Sequence, residues 1–313
     1  MSKPKIYCAD SNLVQPWFQP LWQEWFDVAV YDENTEYASG SIVITDNRFG
    51  SKHGYQQIKQ HDYRIILSHL MDSHVYNKCE VIQQELKLCA QDWMWIQESL
   101  QYRYLNYHVP REPETPSRFF LLLMNLKRQS RDDLIAAVAP FLESSLYSYV
   151  ERGIVLPDDI IVRVPWNSGN ANDRLYVPNW YSQTCFSLVS ETYVHPRLFV
   201  SEKIFKTLAY QHPMIVYGTP GSLSYIRKLG FETFGHQIDE SYDTVTEKQI
   251  RLQKIVEVLD NLHNQFVTEG AVFQDQKTKQ ILEHNYNLFF DANKVRELFV
   301  QQVVGPIMEF IES

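Results

Sequence analysis

The chain has 313 residues, 44% of them hydrophobic, a formal net charge of −9 and four cysteines. That is long enough for two domains with cores of their own, and it excludes a disordered or fibrous chain. The acidic balance argues against a large nonspecific nucleic-acid surface, which needs clustered Lys and Arg; Cys8, Cys79, Cys89 and Cys185 lack the spacing of a zinc site or a disulfide framework.

Lys5 to Cys8 predicts a short strand ending at Asp10. Between Ser11 and Phe26, the residues Trp17, Leu21, Trp22, Trp25 and Phe26 fall at helical spacing, with Pro16 and Pro20 suited to a first turn. Strands are expected at Val28 to Tyr31, Ser41 to Thr45 and Tyr63 to Leu67, with a helix around Gln56 to Gln60. Cys79 to Leu88 reads as a weaker helical run, Met94 to Ile96 as a fifth strand, and Leu100 to Tyr107 as a tyrosine-rich helical turn. Alternating strands and helices imply a mostly parallel sheet covered on both faces.

Three prolines and several charges between Val109 and Ser117 mark a stiff linker. Phe119 to Met124 is the most hydrophobic strand of the chain and ends in a turn carrying Asn125, Lys127, Arg128 and Arg131, before a helix from Asp132 to Leu142. In open α/β sheets ligands bind beyond the carboxyl ends of strands, and cations beside a helix N-terminus there suit a pyrophosphate, although a solvated basic turn reads almost the same way. Leu146 to Tyr149 is a further short strand, and residues 157 to 181 read as loop with an irregular strand.

From Phe186 the pattern sharpens. An apolar run ends in Glu191, and Ser201 caps a helix whose apolar face is Ile204, Phe205, Leu208 and Ala209, so Glu202 and Lys203 sit in its first turn. There the helix dipole attracts an anion, a lysine adds a point charge for phosphate, and a carboxylate can accept two hydrogen bonds from a ribose diol. Met214 to Tyr217 is a buried strand, Gly218, Pro220 and Gly221 make a turn, and Ser222 to Leu229 begins another helix. Ile238 to Asp243 is an acidic loop suited to helix capping. Long amphipathic helices follow at Thr246 to Val267, Gln274 to Phe290 and Val295 to Ile311.

Glu191, a short loop, Ser201-Glu202-Lys203 and the Pro213 to Gly218 strand together resemble the donor-binding segment of the α1,3-fucosyltransferases and their wider relatives. Gly221 to Phe234 is similar to glycosyltransferase-like proteins of bacteria and their phages. The resemblance covers roughly the second half of the chain. It implies a GT-B fold, with two Rossmann-like α/β domains facing a cleft and a C-terminal helical segment, and a nucleotide sugar as co-substrate with no other cofactor. The domains would be 1–112 for the acceptor, 117–290 for the donor and 291–313 as a terminal helix returning to the first domain. The resemblance also implies that one of the arginines after Met124 binds phosphate, with Arg131 the better match. Ser190-Glu191-Thr192 stands where the fucosyltransferases have Phe-Glu-Asn-Ser, so the sugar is left open.

An inverting transfer needs a base near the acceptor hydroxyl, and the candidates just past strand ends of the first domain are Asp10, Asp46 and His69. His61, His69 and His74 with Asp62 and Asp72 do not converge as a metal site would, and no Asp-x-Asp is present, so metal-independent transfer is expected. The acceptor is open among a glycan, a lipid-linked sugar and a modified DNA base. A non-catalytic nucleotide- or glycan-binding protein on the same scaffold is the alternative from another class. With no signal-like or membrane-length apolar run, a cytoplasmic location and no integral membrane segment are expected.

Overall fold

The computed structural model describes residues 3–9, 15–32, 34–46, 63–68, 85–88, 92–104, 115–156, 178–194 and 198–313. The expected helix at 56–60, the histidine-rich stretch, most of the 109–117 linker and residues 157–177 lie outside them. Contacts divide the chain into two compact units, Met1–Leu105 with Ala292–Ser313, and Asn106–Asp291.

In the first unit, β1 (Lys5–Cys8), β2 (Asp27–Val30), β3 (Ile42–Asp46), β4 (Arg64–Ser68) and β5 (Glu85–Leu88) form a parallel sheet in the order β2-β1-β3-β4-β5. Strand order reverses between β1 and β3, and that is where such a sheet opens a crevice at its carboxyl edge.

Four expectations change here. Of the helix expected from Ser11 to Phe26, the described part is α1 (Gln19–Gln23), with Pro20 in its first turn. Cys79 to Leu88 ends as a strand, because Glu85–Leu88 pairs with β4 and so completes the sheet. Met94 to Ile96 is not a strand but part of α2 (Trp93–Tyr104). That helix is buried on most of its circumference, from Trp93 through Ser99, so its apolar residues run together without a helical period. The expected single terminal helix is α9 (Ala292–Phe299), a π-turn (Val300–Val304) and α10 (Gly305–Glu312). Pro306 has no N–H to donate, which loosens the ladder at that point.

This C-terminal segment is built into the first unit. Trp22 meets Phe299 edge-on at 5.0 Å, and the Arg64 guanidinium lies 4.3 Å from the Phe310 ring centroid while donating to the carbonyls of Phe310 and Ile311.

In the second unit, β6 (Arg118–Met124), β7 (Leu146–Tyr149), β8 (Thr184–Ser190) and β9 (Met214–Tyr217) are parallel in the order β7-β6-β8-β9. β8 and β9 are buried at every position, as strands covered on both faces must be. The covering helices are α3 (Gln129–Ala137), α4 (Pro178–Gln183), α5 (Glu202–Ala209), α6 (Ser222–Lys228), α7 (Lys248–Glu269) and α8 (Gln276–Phe289). α3 starts earlier and ends sooner than expected. Pro140 cannot continue the α ladder, so the chain runs on as a 3-10 turn over Ala139–Ser144.

Two of these helices start at acidic N-caps, Glu247 for α7 and Asp275 for α8. Asp275 caps α8 by accepting from the N–H groups of Lys277 (2.9 Å) and Thr278 (3.0 Å), and from the Thr278 hydroxyl (2.6 Å). Burial works against its charge, but the Thr278 hydrogen bonds and the His236 ring outweigh that and hold its carboxyl down to about 2. A carboxyl lowered in the folded state contributes stability above its unfolded pKa and loses it as pH falls through the folded value. Asp275→Ala is therefore expected to destabilise α8 by ~0.5–2 kcal/mol at neutral pH. The difference from wild type should shrink as pH falls toward about 2, checked by amide exchange of the α8 peptides.

Candidate functional site

The second sheet reverses strand order between β6 and β8, and the predicted donor residues lie at those carboxyl ends. Asn125 follows β6 directly, is exposed, and accepts from the Glu151 N–H at 3.2 Å. Lys127 and Arg128 are also exposed. Their main-chain N–H groups donate to the Glu151 carboxylate (2.6 Å) and the Tyr149 hydroxyl (3.2 Å).

Arg131 is different. It is 2% exposed, and its guanidinium donates to the carbonyls of Leu126 at 2.8 Å and Ser190 at 3.5 Å, so it bridges the loop after β6 to the end of β8. Its Nε–H has no hydrogen-bond partner, and among the described residues no carboxylate lies within ion-pair distance. Burial pushes its pKa down, while the Tyr149 oxygen and the charges of Glu191 and Glu202 favour the cation. A guanidinium stays charged at any such position.

Arg131 lies in the first turn of α3, and that helix start is also unusual. Its N-cap residue, Arg128, is extended and makes no side-chain cap. The neighbouring starts are taken. Asp243, from the acidic loop, accepts from the N–H groups of Leu223 (2.9 Å) and Ser224 (3.0 Å) at α6, and Glu247 caps α7. The glycine turn after β9 therefore does not offer α6 to an anion.

On β8, Glu191 follows Ser190 and is fully buried. Its carboxylate accepts from the Ser201 N–H at 2.8 Å and the Ser201 hydroxyl at 2.5 Å. Ser201 caps α5 through the Lys203 N–H, and the Lys203 Nζ donates to Ser201 Oγ at 3.1 Å and to Glu202 Oε1 at 2.9 Å. That Nζ lies 3.8 Å from Glu191. Glu202 and Lys203 keep 30% and 25% of their side chains exposed. Burial raises the Glu191 pKa, and Lys203 and the Ser201 bonds oppose it.

Among the catalytic candidates, Asp46 is the last residue of β3, one of the strands at the reversal in the first sheet, and its side chain is outside the described set. Asp10 and His69 also lie outside the described residues.

Sequence reasoning missed Arg251, Tyr217 and Ser190. Arg251 is 1% exposed and donates to the carbonyls of Val245 (2.7 Å) and Val194 (2.5 Å), tying the loop after β8 to the start of α7. Burial pushes the Tyr217 phenol up to about 12, with Arg251 opposing, and among the described residues the buried Tyr217 hydroxyl and Ser190 Oγ have no hydrogen-bond partner. One signal was available for Arg251, which falls on the apolar stripe of α7 with Ile255, Val258, Leu259 and Leu262.

No protein-family model matches the sequence, and comparison with curated proteins finds no match. Among solved structures, the fold is similar to the DNA-modifying enzyme beta-glucosyltransferase, solved in the presence and absence of uridine diphosphoglucose. That likeness covers 99% of this chain and 100% of that one, at 9% identity and a TM-score of 0.51. An α1,3-fucosyltransferase with GDP-fucose aligns over 100% of this chain and 92% of that one, at 10% identity and a TM-score of 0.48. T4 phage BGT, as a mutant in complex with UDP-glucose, aligns over 100% of both chains at 10% identity and a TM-score of 0.46. The chain has the GT-B fold, two Rossmann-like α/β units with a C-terminal helical segment.

Gly218 makes room for Glu191. A Cβ there would lie 3.2 Å from Glu191 Cγ, 3.2 Å from Ser222 Oγ and 3.3 Å from Val216 Cγ1. Gly218→Ala is expected to destabilise the second unit by ~1–3 kcal/mol through overpacking, read as faster amide exchange in β9.

Proposed function

We propose that the chain is a glycosyltransferase that binds a nucleotide-diphosphate sugar at the carboxyl ends of β6 and β8 and moves the sugar to an acceptor hydroxyl. The observation that carries this is Arg131, a buried cation with an unused N–H at an uncapped helix start, on the reversal point of the sheet. A buried charge with no carboxylate bonded to it is costly even with Glu191 and Glu202 nearby, and an anionic ligand would offset part of that cost. The GT-B fold supports the same reading at the level of architecture.

In this reading the diphosphate lies over the α3 N-terminus, in the field of the enclosed Arg131, with Lys203 reaching it from α5 and Arg128 and Lys127 from the exposed turn. As the glycosidic bond to the sugar breaks, negative charge grows on the departing diphosphate, and these donors are aimed where it develops. Glu202 accepts from the ribose diol, and Gly218 keeps the β9 end close. The base that takes the acceptor proton is drawn from Asp46, Asp10 and His69, with Asp46 favoured by its strand. The cations supply charge of the kind a metal would otherwise bring, so transfer is proposed to be metal-independent.

A second reading concerns the acceptor. The similar beta-glucosyltransferase is a DNA-modifying enzyme, and its likeness spans both chains nearly end to end, which favours a hydroxylated DNA base over a glycan or a lipid-linked sugar. The net charge of −9 weighs against it, so such binding would be local and strongly salt-dependent.

Screening UDP-, GDP-, CMP- and TDP-sugars by thermal shift and by donor hydrolysis tests the proposal; stabilisation without turnover on any acceptor would leave a binding protein instead. Lys203→Ala is expected to weaken diphosphate binding by ~10–100-fold, the worth of a charged hydrogen bond, with unchanged circular dichroism. Turnover is expected to survive excess chelator. Wild-type affinity in the alanine variant would sink the site.

A further inference from the structure

Glu191 is fully enclosed, at 0% exposure. Its main-chain N–H donates to the Tyr217 carbonyl at 3.0 Å, so its backbone is fixed at the end of the β8–β9 ladder. Both carboxylate oxygens are spent on Ser201. Enclosing a carboxylate is costly even when it is hydrogen-bonded, and neither the ladder nor the helix cap requires it. Ser201 caps α5 with its own oxygen, at 3.4 Å from the Lys203 N–H.

What the carboxylate adds is direction. The Ser201 hydroxyl has a single proton, and Glu191 takes it at 2.5 Å. The oxygen's lone pairs are thereby turned toward Lys203, whose N–H and Nζ both donate to it. A relay thus runs from a rigid strand end, through a capping hydroxyl, to a half-exposed ammonium. The charged groups facing Glu191 are Lys203 and Glu202 from α5 and Arg131 from α3.

We propose that Glu191 is a positioning residue of the nucleotide-diphosphate site, acting through Ser201 to fix where Lys203 and the first-turn N–H groups of α5 meet the phosphates. It has no surface on which to touch the donor itself. The proposal rests on the functional reading above and assigns within it a residue that is neither ligand-contacting nor part of the core.

Glu191→Gln keeps the shape but removes the charge and replaces one acceptor with a donor facing Ser201 Oγ. Two measurements are made on the full chain, amide exchange without ligand and titration with UDP and with GDP across pH. The glutamine variant is expected to exchange faster at residues 201–204 with β8 and β9 unchanged. It should bind the diphosphate that wild type prefers about tenfold more weakly, and lose a pH dependence that wild type shows. Glu191→Asp, which keeps the charge but shortens the reach, should fall between the two. Glutamine binding and exchange equal to wild type would overturn the positioning role alone. So would faster exchange spread through β8 and β9, which marks a merely structural residue. Wild type binding neither UDP nor GDP would overturn the functional reading and this proposal with it.

Discussion

A guanidinium that cannot lose its proton, enclosed at the carboxyl edge of a parallel sheet and bonded only to main-chain carbonyls, constrains everything around it. Arg131 holds the loop after β6 to the end of β8, and carbonyl dipoles meet its geometry without cancelling its charge. Core arginines that serve only packing are usually matched by a carboxylate. Here, among the described residues, no carboxylate is bonded to it: its chain neighbours pair elsewhere, Asp132 with Arg152 at 2.6 Å and Asp133 with Lys248 at 2.6 Å, and Glu191 and Glu202 act on it only through space. A cation without a directly bonded counter-ion is thereby left where the strand order of the sheet reverses.

Most of the other helix starts of the second unit carry side-chain caps. α6, α7 and α8 have carboxylates on their first-turn N–H groups, whereas α5 is capped by the uncharged Ser201 hydroxyl on a single N–H. A helix start occupied by an acidic side chain has no attraction left for phosphate. Of these starts in the second unit, α3 lacks a side-chain cap, and its first turn is the one that carries Arg131. Selectivity among neighbouring helix ends is achieved by closing those that are not to bind.

Much of this architecture was legible because it is local. The Phe119 to Met124 strand, the Ser201 cap, the buried Met214 to Tyr217 strand and the alternation that makes both sheets parallel are written in short-range patterns. The failures came where burial removes periodicity, as in α2, whose consecutive apolar residues look like a strand, or where a strand is recognised only by its partner, as in β5. The site divides the same way. That Lys203 sits in a first turn follows from spacing, but that Glu191 is sealed behind Ser201, and that Arg251 ties two loops, depends on contacts ten and fifty-seven positions apart. No window of sequence contains them.

Charge balance separates what is architecture from what is chemistry. Arg131 and Lys203 are offset in the folded chain by Glu191 and Glu202, so the enclosed part of the edge carries little net charge when all four are ionised. A diphosphate brings at least two negative charges to it. Lys203 must then exchange its contact with Glu202 for the phosphate, and Lys127 and Arg128, which are exposed and project from the same turn, supply the remainder. On the proposed reading, affinity for a diphosphate is divided between a buried, prearranged guanidinium and exposed cations whose contribution salt screens. The first can orient the leaving group with little reorganisation, which is what a transferase needs from it. Nothing in that arrangement restricts the acceptor, because a fold does not by itself determine the function it carries.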